Sequence, residues 1–560
     1  MENQDKKGMT EKLLGINPVS LLNEMPVKKN PTYMRKGFLY WTGAMIMVAF
    51  VYQIVTGLML LLYYNPMHPY TSTEYLINNI PYGALINATH LYGAFAMVVL
   101  VYVHLFRNYF VGAYKRPRQL QWLTGVILLA LTIGVCFFGY SMPGDILGYD
   151  ASQVGMGMAF NTPIIGTSIA TILFGNAANT ASLYSRLLGW HIILALLIGM
   201  LFGLHFFMAE SNNIMPSGKE SKHRAPAIVK EDSTMKAWYP YNMAFMIQLS
   251  LFVVGFIILI PSIVALIPNV PSLFSPFPGP WRHSPLAENA ILYPDYPPWF
   301  LLFVYKAVDF FPGFISIIPG FPPIYGGLIA TAVFGGIPLV YFLLVPFIDR
   351  SDDLHPLKRP IITALGIYFI IYLVILSVWG AMTPGVAVPL QYAVVVLLVP
   401  LVIVVLGMLL ISKLYRDGKL DITYDRVMTS YFIFLVLLIV GVFALALNFA
   451  SFMTYSSVGN MINSLAAGIA TSFAAIGVAR TSSMNNIEKI VPRKPTVYHI
   501  SEQSATILSA ILLVISVAIM FLVINLNPIS GQMVFGVGIG VDFIIAGVII
   551  RLYRQVAYNE

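Results

Sequence analysis

Apolar runs of about 20 residues or more recur along this whole chain, and no other pattern leaves a polypeptide fewer choices. A run of that length crosses a bilayer. No water is present there to bond backbone N–H and C=O groups, so the segment closes its own hydrogen bonds as a helix. Twelve such spans are read, at 37–64, 84–106, 122–142, 184–208, 242–267, 325–348, 361–380, 387–412, 427–454, 459–479, 503–525 and 529–550. The tenth is the least typical, being rich in Ala, Gly and Ser. With 58% apolar and 10% charged residues, the chain reads as an all-α integral membrane protein.

The placement of charge orients the spans. With the N-terminus inside, only Arg186, Arg282 and Lys306 of the 32 basic residues fall on the outer side, as the positive-inside rule requires. The net charge of +8 therefore reflects topology and an anionic inner leaflet, and is no sign of nucleic acid. Residues 1–36 are polar and the first apolar run is a full span, so no cleavable secretory signal is expected. These features predict a multi-pass protein of the cell membrane with a cytoplasmic N-terminus. The single cysteine, Cys136, cannot make a disulfide, a CxxCH haem attachment or an iron–sulfur site, so any such centre belongs to a partner.

Two spans carry matched histidines. His90 and His104 lie in the second, His191 and His205 in the fourth, and each pair is 14 residues apart. At 3.6 residues per turn, 14 positions return to nearly the same helix face, roughly 21 Å further along the axis. Two such helices facing each other bring one histidine from each together at two levels, which predicts two stacked bis-histidine haems. A single transmembrane histidine can as well bond a neighbouring helix; four with matched spacing argue for ligands. The other five, His68, His223, His283, His355 and His499, lie in loops. The flanking spans carry Gly43 and Gly57, and Gly125 and Gly139, again 14 apart, where a porphyrin edge could approach closely.

The segments His90-LYGAFAMVVLVYV-His104-LFRNYFVGAY, Gly139-YSMPGD, and Arg186-LLGW-His191 through His205-FFMAESNN resemble cytochrome b, the membrane subunit of quinol-oxidising cytochrome bc complexes. The resemblance covers about the first 410 residues. It implies a bundle of eight core helices, to which about four extra C-terminal transmembrane helices are added here. The expected division is a cytoplasmic segment 1–36, a diheme four-helix core 37–241, a quinone-site loop with helices five to eight over 242–413, and an extension 414–560. His90 and His191 would bind the outer haem, His104 and His205 the inner one. Both histidine spacings resemble the respiratory branch, since the photosynthetic branch has one more residue in its second pair. Arg107 could meet an inner-haem propionate, although a snorkelling arginine explains it as well.

The family oxidises quinol at an outer pocket beside a Pro-Glu-Trp-Tyr motif. Here the equivalent is Pro297-Pro298-Trp299-Phe300, following a loop 268–298 with nine prolines and opening a helix expected at 299–311. Pro298 replaces the glutamate that would accept a quinol proton, and Asp295 is the nearest carboxylate. Tyr140 and Asp145 are further candidates for that pocket, although Pro143-Gly144-Asp145 lacks the family's Trp and Asn87 stands where an Arg often contacts the outer haem. In the inner quinone site, Glu210 occupies the place of a family histidine, with Ser211, Asn212 and Asn213 after it. The family's Lys-Asp pair is missing around Phe245 and Met246.

These departures, with the C-terminal extension, resemble the divergent cytochromes b of archaeal quinol-oxidase complexes, which carry b-type or modified haems. The implied partners are quinol, a Rieske-type iron–sulfur protein, terminal oxidase subunits, membrane lipid, and a second copy or a supercomplex. Asp542, in the last span, is read as a contact with another subunit. Two other readings stand beside this one: a diheme electron relay without a bifurcating quinol site, and an ion-coupled transporter, which would show inverted repeats and leave the histidines unexplained.

Overall fold

A computed structural model describes residues 38–419, apart from 176–179, 213–214, 217–220, 229–234, 237–240, 269, 271–273, 278–296, 318 and 321, together with 500–558. Ten helices among the described residues are long and apolar enough to span a membrane. They are α1 (Thr42–Leu61), α3 (Gly83–Phe110), α4 (Gln119–Ser141), α7 (Thr180–Asn212), α8 (Met243–Leu266), α10 (Gly326–Ile348), α11 (Pro360–Met382), α12 (Leu390–Arg416), α13 (Glu502–Val523) and α14 (Gln532–Tyr558). Shorter helices connect them: α2 (Pro69–Asn79), α5 (Ile146–Phe160), α6 (Gly166–Phe174) and α9 (Leu302–Val308), the last entered through a 3-10 turn at Trp299–Leu301. A two-stranded antiparallel ribbon, Phe314–Ile315 with Ile324–Tyr325, precedes α10. The expected spans at 427–454 and 459–479 lie outside the described residues.

Two helix pairs form the centre, α1 against α3 and α4 against α7. The α10–α12 layer closes over α3 and α4 through a core that includes Tyr109, Trp122, Phe342 and Ile367. On the other flank α8 packs on α1 and α3, and α14 lies along α8. Small residues make that last contact close. A Cβ at Gly540 would stand 2.9 Å from the Leu259 backbone, and one at Gly547 3.1 Å from the Phe252 ring. In lipid there is no hydrophobic drive to bring helices together, so such close packing supplies the attraction.

The structure departs from the sequence reading at the C-terminus. Residues 551–558 are helical and continue α14, where a charged inner tail was expected. Arg554 is fully buried there. Asp542 faces Ser516 of α13, within its own chain, and both its carboxylate oxygens are enclosed. Asp542 therefore has a neighbouring helix within its own chain. An aspartate between two helices of a hairpin is shielded from lipid by the neighbouring helix.

The loops at the His104/His205 end are tied by a buried charge cluster. Asp349 accepts hydrogen bonds from Tyr114 (2.6 Å) and Ser351 (2.7 Å) and pairs with Lys115 (2.8 Å) and Arg359 (3.4 Å). Burial alone would raise the Asp349 carboxyl, but the hydrogen bonds from Lys115, Tyr114 and Ser351 and the Arg359 charge hold it below the usual carboxylate range. A depressed carboxyl contributes stability that is present above the unfolded value of about 3.9 and is lost as pH falls through the folded value. Asp349→Asn is expected to cost roughly 3 kcal/mol at neutral pH, the low end for breaking a buried pair. Thermal unfolding in detergent from pH 7 to 3 should show that loss, and a flatter acid limb in the variant.

Candidate functional site

The four transmembrane histidines meet as two pairs. The His90 and His191 rings have centroids 6.4 Å apart with 62° between their planes, and His104 and His205 are 6.5 Å apart at 70°. Two imidazoles bound to one metal through facing nitrogens would sit about 6.3 Å apart, taking about 2.0 Å per metal–nitrogen bond and about 1.15 Å from ring centre to nitrogen. Both levels fit a bis-imidazole metal centre.

The helices beside each pair fix the rings. In the antiparallel pair α1/α3, a Cβ at Gly43 would meet His104 Cε1 at 3.3 Å, and one at Gly57 would meet His90 Cε1 at 3.2 Å. In α4/α7 the corresponding distances are 3.0 Å from Gly125 to His205 and 2.8 Å from Gly139 to His191. Fourteen residues up one helix are matched by fourteen residues down its neighbour. Each glycine therefore backs the imidazole itself, a closer role than the porphyrin-edge clearance expected from the sequence.

Hydrogen bonds set the tautomer. Thr56 Oγ1 donates its only proton to Tyr52 O at 2.8 Å, so it accepts from His90 Nδ1, 2.9 Å away. Thr124 Oγ1 likewise donates to Gln121 O and stands 3.1 Å from His205 Nδ1. His191 Nδ1 is 2.9 Å from the Val135 carbonyl, which can only accept. At His104, the Asn108 amide donates to Nε2 at 3.0 Å, and Nδ1 meets Thr42 Oγ1 at 2.8 Å. All four rings carry the proton on Nδ1 and keep the Nε2 lone pair, the state that ligates a metal. Sequence reasoning missed these threonines, yet their signal is visible: Thr42-Gly43, Thr56-Gly57 and Thr124-Gly125 repeat one dipeptide. Phe138-Gly139 breaks it, and there a backbone carbonyl substitutes.

Arg107 lies beside the His104 level, donating to Asn108 Oδ1 at 2.7 Å with its guanidinium 4.6 Å above the Tyr40 ring. Glu210 is in the last turn of α7 at the same end.

Toward the other end, Phe95, on α3 five residues from His90 on its His104 side, meets the Trp299 ring edge-on at 5.5 Å. Phe300 and Pro297 are buried, and the buried Trp299 Nε1–H finds no hydrogen-bond acceptor among the described residues. Tyr140 and Asp150 stand close to Tyr305 of α9, whose hydroxyl is pushed up chiefly by burial and further by those two groups. Asp150 was not singled out in the sequence, because one carboxylate on a short helix carries no spacing signal. Asp145 is fully buried and its Oδ1 caps α5, accepting from Gly148 N at 2.8 Å, so a structural task occupies that oxygen. Asp295 lies outside the described residues.

Glycine contacts this tight rank the expected losses. Gly139→Ala should displace His191 most, and Gly43→Ala should displace His104 least. Haem-to-protein ratios and the bis-histidine optical signal of the two purified variants would check that order.

Comparison with known proteins finds relatives along the same segments. The family model described as Cytochrome b(N-terminal)/b6/petB matches residues 95–277. A cytochrome b of Sulfolobus acidocaldarius is 40% identical over 396 residues, covering 68% of each chain. A Heliobacterium mobile cytochrome b6 is 35% identical over 210 residues, 37% of this chain and 97% of the relative. The Bacillus subtilis menaquinol:cytochrome c reductase cytochrome b subunit is 33% identical over 198 residues, 34% of this chain and 88% of its own. Among solved structures, a chain of a hyperthermophilic respiratory Complex III superposes with a TM-score of 0.52 at 22% identity, covering 72% of this chain and 98% of that one.

Proposed function

This chain belongs to the cytochrome b family, and on that premise we propose that it is the diheme subunit of a respiratory quinol-oxidising complex, oxidising quinol at its outer face. The observation that carries the reading is the pair of imidazole levels, each at bis-ligand separation, with Nδ1 as the protonated nitrogen and the Nε2 lone pair kept on every ring. His90 and His191 would hold the outer haem, His104 and His205 the inner one. Haem bound there supplies one-electron carriers, their potentials set by the axial imidazoles and by burial.

The chain's own residues do the rest. Thr42, Thr56, Thr124 and the Val135 carbonyl hold the Nδ1 protons, so each ring keeps its orientation. At the outer pocket the Trp299 indole N–H is available to a quinol oxygen, and Phe95 and Phe300 offer flat apolar walls to its ring. Asp295 would take a quinol proton in place of the glutamate that Pro298 displaces. Oxidation releases two electrons and two protons. One electron leaves for an iron–sulfur partner of Rieske type, because the one cysteine here, Cys136, cannot build such a cluster. For the other electron, His90 with His191 and His104 with His205 would hold two carriers at levels roughly 21 Å apart, the rise of 14 helical residues. The Lys and Arg distribution supports a cell-membrane location with the N-terminus inside. The same family placement supports terminal oxidase subunits as further partners.

A second reading, a diheme relay without a bifurcating quinol site, is favoured by one observation only, the proline at position 298.

A pyridine haemochrome assay should give two haems per chain, with a marked loss in His191→Leu; a chain without haem would refute the reading. Asp295→Asn is expected to slow quinol oxidation about 100-fold, the usual scale for a lost general base. Wild-type turnover in that variant would favour the relay.

A further inference from the structure

Helix α9 is seven residues long and is entered through a three-residue 3-10 turn. A run that short is marginal by itself and takes its place from what it packs on. Pro297 and Pro298 bring no backbone N–H to its entry. Lys306 supplies the tie. Its ammonium is fully buried and meets four acceptors: Asp309 Oδ2 at 3.0 Å, Thr383 O at 3.0 Å, Thr383 Oγ1 at 3.1 Å and Val386 O at 3.1 Å. Three of these belong to the turn between α11 and α12. That turn bonds back, Val388 N donating to Asp309 O at 3.0 Å. Gly380 of α11 allows the approach, since a Cβ there would stand 2.9 Å from Leu302 O and 3.3 Å from Lys306 Cβ. Burial works against both charges, raising the Asp309 carboxyl and lowering the Lys306 ammonium, and each is opposed by the other. An ammonium that left this turn would lose its partners together, so α9 is held against sliding along α11.

The run that Lys306 anchors also carries the wall of the outer pocket. Trp299, whose buried indole N–H finds no acceptor among the described residues, and the buried Phe300 open it. Tyr305, immediately before Lys306, stands close to Tyr140 and Asp150. Consecutive helical residues point about 100° apart, so the ammonium grips one side of α9 while Tyr305 presents another. We propose that Lys306, through its bonds to the α11–α12 turn, is a positioning residue for the outer pocket and sets where Trp299, Phe300 and Tyr305 stand against a quinol ring. The proposal rests on the quinol-oxidising reading and deepens it. The ammonium is fully engaged by the turn, so Lys306 acts on quinol only through the helix it anchors. Flat walls and one N–H hold the ring alike before and during electron loss, so a displaced wall weakens binding more than turnover.

The test is steady-state oxidation of a short-chain quinol by the whole purified complex, with haem content, haem midpoints and melting temperature measured on each variant. Lys306→Met removes the ammonium and leaves the Asp309 carboxylate without its cation. Lys306→Met combined with Asp309→Asn removes both charges and should regain most of the thermal stability that the single variant loses. Thr383→Val is the mildest change, deleting one acceptor of Lys306 and the hydroxyl's own bond to Trp379 O. All three should keep two haems with unmoved midpoints. KM for quinol should rise about tenfold in both proteins carrying Lys306→Met and about threefold in Thr383→Val, with kcat within about twofold of wild type. A KM that returns to the wild-type value as stability returns would mark a merely structural lysine and overturn the proposal. A loss carried by kcat alone, or a wild-type KM in all three variants, would overturn it as well, leaving the quinol reading intact. A wild-type complex that holds haem but oxidises no quinol would overturn both.

Discussion

The core answers to one requirement: an imidazole in a membrane interior must find an acceptor for its Nδ1–H so that Nε2 keeps its lone pair. A donor left without an acceptor in that setting costs several kcal/mol, on the order of 2–7. Three threonines and one carbonyl meet the requirement, and each threonine sits beside the glycine on which its ring rests. Because bond and backing come from adjacent residues, the antiparallel register of α1 with α3, and of α4 with α7, cannot slip without losing both. A shift of one residue would turn the glycine about 100° away and drive a bulky neighbour toward the imidazole.

That coupling also explains which features were legible in the sequence. Histidine and glycine spacing alone placed the two levels, because a helical period converts residue number directly into height and direction. His90, His104, His191 and His205 and their four glycines come together as spacing implies. The threonines stayed hidden because a hydroxyl in a transmembrane helix more often bonds its own backbone, as Thr132 does with Leu128 O. The proposed quinol pocket was only partly legible. Its parts come from α3, α4, α5 and the turn before α9, and no local period links residues so distant in sequence. The helical run through Arg554 was not legible, since two arginines among residues 551–560 look no different from topological anchors.

The two ends of the bundle carry different electrostatics. At the His104 end, loops are stitched by charge: Asp349 with Lys115 and Arg359, and Arg118 buried against the Ala227 and Asn212 carbonyls. The opposite end is aromatic and sparsely charged, with Lys306 held by Asp309 and the Thr383 and Val386 carbonyls. Such a division matches the proposed handling of an uncharged ring at one face and contact with an anionic leaflet at the other.

The docking of α14 bears on how the molecule comes into being. Tyr82, just before α3, donates its amide to Pro528 O, and Leu85 donates to the Gln532 side chain. Gly540 and Gly547 lie against α8 at backbone range. Residues made among the first are thus completed by residues made among the last. During synthesis the flank formed by α3 and α8 stays uncovered until α14 has left the ribosome, so a chain stopped before α14 would insert its histidines yet lack the helix that covers that flank.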